Sequence, residues 1–103
     1  MIWKFITFLV RKLEPEVAHQ ISLIALKLGF HPRLKRIEIP VKINNLHFTN
    51  FLGVAAGFDK NAQIIERIHY LNFGLTEVGT ITPLPQYGNP KPRVFRLEKD
   101  QAI

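Results

Sequence analysis

Apolar positions along the chain change their spacing from one stretch to the next, and each spacing predicts an element. Ile2, Phe5, Ile6, Leu9 and Leu13 recur at three- and four-residue steps, which predicts a first helix over 2–13. Trp3, Phe8 and Val10 widen its apolar stripe beyond what a small core needs, and Lys4, Arg11 and Lys12 supply its charges. Pro15 suits a first helical position and Glu16 the positive helix start, so a second helix is predicted from Pro15 to Leu28, stopped by Gly29. Its stripe is Val17, Ile21, Ile24, Ala25 and Leu28, with Leu23 and Leu26 as a second apolar edge. Residues 31–40 read as a basic linker ending at Pro40. Val41–Ile43 and Leu46–Phe48 read as a hairpin around Asn44-Asn45, with His47 on its surface.

The second half alternates between strand and helix. A buried strand is predicted over Leu52–Ala55, then a turn, then a helix over Ala62–Leu71. Ile64, Ile65, Ile68 and Leu71 would form the helix's inner face, His69 its exposed face and Asn72 its C-terminal cap. Leu75–Val78 is the next strand, ending at Gly79-Thr80. Strand, helix and strand over this length make a βαβ unit, so the two strands are expected to be parallel. Pro83, Pro85, Pro90 and Pro92 stiffen the following loop, Gly88-Asn89 turns it, and Arg93–Leu97 reads as a last short strand.

The candidate chemistry lies at the two strand ends. Ala55, Ala56 and Gly57 remove side-chain bulk, so a flat ligand could lie against the backbone, and Lys60 puts a cation beside it. Ligands of parallel α/β folds bind at the carboxyl ends of strands, so Ala55–Lys60 and Gly79-Thr80 fall on one sheet edge. Close packing around the small residues and a solvated Asp59-Lys60 pair form the competing interpretation.

Charge and composition narrow the partners. The net charge is +6, and hydrophobic content is 47%, which suits a globular chain. Lys4, Arg11, Lys12, Lys27, Arg33, Lys35, Arg36 and Lys42 concentrate the cations in the first half. Two short helices of this kind fit an amphipathic hairpin in a membrane interface, with packing on a larger protein as the alternative. The aromatics lie in apolar stripes rather than between the cations, which argues against a nucleic-acid binder. There is no cysteine, and His19, His31, His47 and His69 lack ligand spacing, so no metal site is expected. Neither apolar helix approaches the roughly 20 residues of a membrane span. No secretory or transit signal is read.

Four blocks together resemble the N-terminal part of the quinone-dependent (class 2) dihydroorotate dehydrogenases. They are Glu14-Pro15-Glu16-x-Ala18-His19, Asn50-x-Leu52-Gly53-x-Ala55-Ala56-Gly57-Phe58-Asp59-Lys60, Phe73-Gly74-x-x-Glu77-x-Gly79-Thr80-x-Thr82-Pro83-x-Pro85-Gln86 and Gly88-Asn89-Pro90-x-Pro92-Arg93-x-Phe95-Arg96-Leu97. They stand in family order and cover nearly the whole chain. The resemblance implies an α/β chain forming the N-terminal part of a (β/α)₈ TIM barrel, preceded by a membrane-associated helical hairpin. The expected layout is the hairpin over 1–30, a linker over 31–40 and the start of an FMN-binding barrel over 41–103.

The resemblance also implies the chemistry. Dihydroorotate is oxidised to orotate with FMN as hydride acceptor, and ubiquinone or menaquinone reoxidises the flavin. By motif, Ala56, Gly57, Phe58, Asp59, Lys60 and Thr80 would contact FMN, and Lys60 would also reach the substrate carboxylate. His19 and Arg96 would lie along the quinone path. The expected location is the periphery of a bacterial inner membrane, on its cytoplasmic face. Glu14 stands where aspartate is commoner, and Asn72 where glycine is common. A (β/α)₈ barrel takes roughly 250 residues, so this chain is expected to be one piece of such an enzyme. The catalytic base and the asparagine-rich substrate loop would lie beyond Ile103. Alone, the chain is expected to be inactive; the alternative is a non-catalytic membrane-binding remnant.

Overall fold

The computed structural model describes residues 2–103. The chain divides into two compact units, Met1–Ser22 with Thr82–Ile103 and the continuous Leu23–Ile81. Helix α2 begins in the first and ends in the second.

The Leu23–Ile81 unit holds every strand among the described residues. Strands β1 (Val41–Ile43) and β2 (Leu46–Phe48) pair antiparallel, with Val41 opposite Phe48. Asn44 takes φ 53° in their turn, a left-handed conformation that asparagine tolerates. Both strands and the exposed His47 match the sequence reading. Strands β3 (Gly53–Asp59) and β4 (Leu75–Val78) pair parallel, as the βαβ spacing predicts.

Between the parallel strands the crossover is shorter than expected. Helix α3 spans only Ile65–Ile68, and a 3₁₀ turn continues it over His69–Leu71. Ala62 delays the helix start, sitting at φ 56°, outside helical geometry, and the Asp59 carboxylate accepts the otherwise unsatisfied N–H groups of Gln63 and Ile64 where the helix begins. Asn72 ends the crossover in the left-handed conformation (φ 62°, ψ 30°), as expected of its cap.

A small core joins α2 to this crossover. Leu23, Leu26, Ile64 and Ile68 are buried together, and Val54, Phe58, Leu71 and Phe73 pack against them. On α2 the buried side is the edge carrying Leu23 and Leu26, while Val17, Ile21, Ile24 and Leu28 of the predicted main stripe are exposed. Ile65 is exposed too, contrary to the predicted inner face. Nor is β3 the buried strand expected: Leu52 and Ala55 are exposed and only Val54 and Phe58 are half-buried in the core. A two-stranded sheet covered on one face cannot bury both sides of its strands.

The entries to the parallel strands are clamped by Asn50, which is buried at 4% exposure. Its Oδ1 accepts the N–H of Leu52 (2.9 Å) and of Gly74 (3.1 Å), and its Nδ2 donates to the Asn72 carbonyl (2.8 Å). Asn72 extends the network, donating from Nδ2 to the Lys35 carbonyl and accepting the Ile37 N–H on Oδ1. A Cβ on Gly74 would collide with the Asn50 carbonyl, so only glycine fits where the two backbones meet.

In the other unit, α1 (Ile2–Lys12) and the start of α2 (Pro15–Lys27) meet at Leu13-Glu14. No residue of α1 is buried. Glu14 caps α2: its Oε1 accepts the Glu16 N–H at 3.1 Å and its Oε2 the Val17 N–H at 2.9 Å. Glutamate thus caps this helix although Asp and Ser are the commoner residues at such a position. The strand predicted over Arg93–Leu97 does not form. A strand needs a continuous partner, and among the described residues this segment has only one bridge, Leu97 to Ala102.

Replacing Asn50 with alanine strips the Leu52 N–H and the Asn72 carbonyl of their partner and leaves the Gly74 N–H only its bond to the Leu52 carbonyl. We expect it to destabilise the Leu23–Ile81 unit by about 2–4 kcal/mol. Urea unfolding followed by hydrogen exchange at the Gly74 amide measures the loss.

Candidate functional site

The stretch Ala56–Phe58, expected as a turn after the strand ending at Ala55, lies inside β3. It is nevertheless irregular. Val54 pairs with Thr76 and Asp59 with Val78, so the chain between the two pairings is longer on β3 than on β4, and the ladder bulges. Bulges re-aim the residues they carry. Here Gly57 takes φ +102°, open only to glycine without strain, and nothing lies within 4 Å of where its Cβ would be. Ala55, Ala56 and Gly57 are exposed, whereas Phe58 turns its ring toward the core. The result is a bare strip of backbone with its anchor behind it.

Asp59 is that anchor. Its side chain is fully buried, with Oδ1 accepting the Gln63 N–H at 2.7 Å and Oδ2 the Ile64 N–H at 2.9 Å. Both carboxylate oxygens are therefore engaged inside the fold. The competing picture of Asp59-Lys60 as a solvated pair is wrong for the aspartate. Lys60 is exposed beside it.

The two strand ends meet as predicted. The Gly79 N–H donates to the Lys60 carbonyl at 3.1 Å, and a Cβ on Gly79 would lie 2.5 Å from that oxygen. Thr80 follows, exposed. Ala56, Gly57, Lys60, Gly79 and Thr80 thus belong to one sheet edge with small or absent side chains and a cation. Nothing lies within 4 Å of the Cβ position at Gly57, so the open face there leaves room for a planar group.

His19 and Arg96 lie in the other unit, both half-buried. Arg96 Nη1 donates to the carbonyls of Arg11 (2.8 Å) and Leu13 (2.7 Å), at the end of α1. Beside them is a cluster that the sequence does not announce, because its members are 77 positions apart. Glu16 is buried, and its Oε1 accepts from Arg93 Nε (3.1 Å), Arg93 Nη2 (2.8 Å) and Lys91 Nζ (3.2 Å). The hydrogen bond from Arg93 lowers the Glu16 pKa below its ordinary 4.5; burial opposes this, and Lys91 adds to the lowering.

Parallel strands joined by a helical crossover, with a glycine-opened strand end beside a lysine, define an α/β protein with a cofactor-type sheet edge. Comparisons narrow the class. The family model described as dihydroorotate dehydrogenase matches residues 38–103. The chain is 52% identical over 93 residues to the dihydroorotate dehydrogenase (quinone) of Bartonella tribocorum, covering 88% of this chain and 26% of that protein. It is 46% identical to the protein of the same name from Erythrobacter litoralis, across 100% of this chain and 31% of that one. A crystal structure of DHODH from Eimeria tenella in complex with ferulenol superposes with a TM-score of 0.78 at 46% identity, covering 84% of this chain and 24% of the other. The chain belongs to the dihydroorotate dehydrogenase family. It spans about a quarter to a third of the length of the curated relatives it matches.

The Glu16 cluster makes a pH prediction. Its folded pKa lies below the unfolded one, so its stabilisation is present above about pH 4.5 and is lost as pH falls through the folded value. Thermal melts between neutral and acid pH should show this loss, and Glu16→Gln should flatten that part of the profile.

Proposed function

We propose that this chain supplies the N-terminal part of a quinone-dependent dihydroorotate dehydrogenase. That enzyme oxidises dihydroorotate to orotate and passes the electrons to ubiquinone or menaquinone. The observation that carries the reading is the bulged strip Ala55–Phe58 beside Lys60 and Gly79. FMN, when bound, supplies the hydride-accepting ring. Ala56 and Gly57 leave the backbone open to that ring, and Thr80 offers a hydroxyl from the neighbouring strand end. Lys60 pairs with negative charge, both on the reduced flavin and on the substrate carboxylate, and so orients the substrate for transfer. Asp59 acts through the turn: its two hydrogen bonds hold the backbone from which Lys60 projects.

One feature supports reading the sheet as the start of a (β/α)₈ barrel: strands β3 and β4 form a sheet of two only, with their outer edges unpaired. On this reading the domain layout is the hairpin 1–30, the linker 31–40 and the barrel start 41–103.

The helical hairpin is the membrane-contacting part. Ile2, Phe5, Ile6, Phe8 and Leu9 of α1 and Val17, Ile21, Ile24 and Leu28 of α2 are exposed, with Lys4, Arg11 and Lys12 alongside. No helix among the described residues is long and apolar enough to cross a membrane. On this proposal the hairpin lies in the interface, at the cytoplasmic face of a bacterial inner membrane. His19 and Arg96 serve the quinone path. The same exposed faces favour the second reading, a membrane-binding remnant without catalysis.

The test is a chimera in which this chain replaces the matching quarter of the Bartonella tribocorum relative. We expect dihydroorotate-dependent quinone reduction, and a loss of at least about 100-fold in kcat/KM for Lys60→Ala, the scale of a lost charged transition-state contact. A folded, membrane-bound chimera without flavin would favour the remnant.

A further inference from the structure

We propose that Glu16 and Arg93 are positioning residues for quinone recognition, setting His19 and Arg96 as a fixed pair of hydrogen-bond donors. The inference rests on the quinone-path role given to His19 and Arg96 above. Glu16 stands three residues before His19 on α2, and Arg93 lies on the same short non-helical segment as Arg96. On a helix, positions three apart share a face, so fixing Glu16 fixes the azimuth of His19.

The anchors are held far more firmly than a surface ion pair. Glu16 is 6% exposed and takes three donors on one oxygen. Arg93 is also gripped from its other side, where Nη1 donates to the carbonyls of Tyr87 (2.7 Å) and Asn89 (3.3 Å). Gly88, at φ +74°, lets the loop close over this guanidinium: a Cβ there would lie 2.7 Å from Nη1. Residues 87–93 thus form a collar around Arg93, and Arg93 is bolted to the first turn of α2.

Arg96 makes the second bolt. Its Nη1 caps the Arg11 and Leu13 carbonyls, so the Nε–H and Nη2 hydrogens remain for other acceptors. A quinone carbonyl is an acceptor only, and it needs donors placed to within about 0.5 Å. Arg93 and the buried Glu16 supply that placement without touching the ligand, which meets His19 and Arg96.

Trp3 is the only tryptophan and lies in the same unit, which gives a direct probe. Decylubiquinone is titrated into the full chain in detergent micelles, following Trp3 quenching, with decylbenzene as a competitor that has the tail but no carbonyl. We expect saturable quenching in the unaltered chain. Glu16→Gln and Arg93→Lys should each weaken decylubiquinone binding about tenfold, the scale of a lost charged hydrogen bond, with decylbenzene competition and helix content unchanged. If both variants bind decylubiquinone as the unaltered chain does, the positioning role is wrong and the quinone reading stands. Equal weakening toward both ligands means a general structural role and also overturns it. No saturable quenching in the unaltered chain overturns the quinone reading and this inference together.

Discussion

The buried Asp59 carboxylate is the constraint on which the candidate cofactor edge depends. It receives two backbone N–H groups from the residues that open the crossover, so strand, turn and helix are fixed to one another at a single side chain. The bulge before it exposes the bare backbone of Ala56 and Gly57, and the residue after it is Lys60. That anchor acts together with the bond from the Gly79 N–H to the Lys60 carbonyl, which ties the cation's backbone to the neighbouring strand end.

Much of this was legible from the sequence, because it rests on local signals. Asparagines mark the β1–β2 turn, Pro15 marks the start of α2, and Asn72 ends the crossover in the left-handed conformation that its residue type allows. The parallel pairing follows from the βαβ spacing. What was not legible depends on contacts distant in sequence. Periodicity could not show that α2 uses the Leu23 and Leu26 edge for its core, leaving the broader stripe outward. Composition could not show that Asp59 turns inward, nor that Ala62 would delay α3. The segment Arg93–Leu97 has strand-like residues but no partner, so its pattern alone misleads.

The unit formed by Met1–Ser22 and Thr82–Ile103 follows a different logic from the strands. It has no apolar core comparable to the Leu23–Ile68 cluster; Ala18 is its buried apolar residue. What holds it are arginines. Arg93 reaches the buried Glu16, and Arg96 caps the end of α1, so polar contacts set the geometry while apolar faces stay outward. Exposed apolar faces of this kind fit a chain that spans about a quarter of its matched relatives.

The central claim is that the bulged strand end is a flavin edge, and a titration of FMN into the isotope-labelled chain, followed by amide NMR, tests it most directly. The account predicts saturable shifts confined to the amides of Ala56 to Lys60, Gly79 and Thr80. Saturable shifts elsewhere with these amides unmoved, or no shifts at millimolar FMN in a chain whose Asp59 turn is intact, would contradict it.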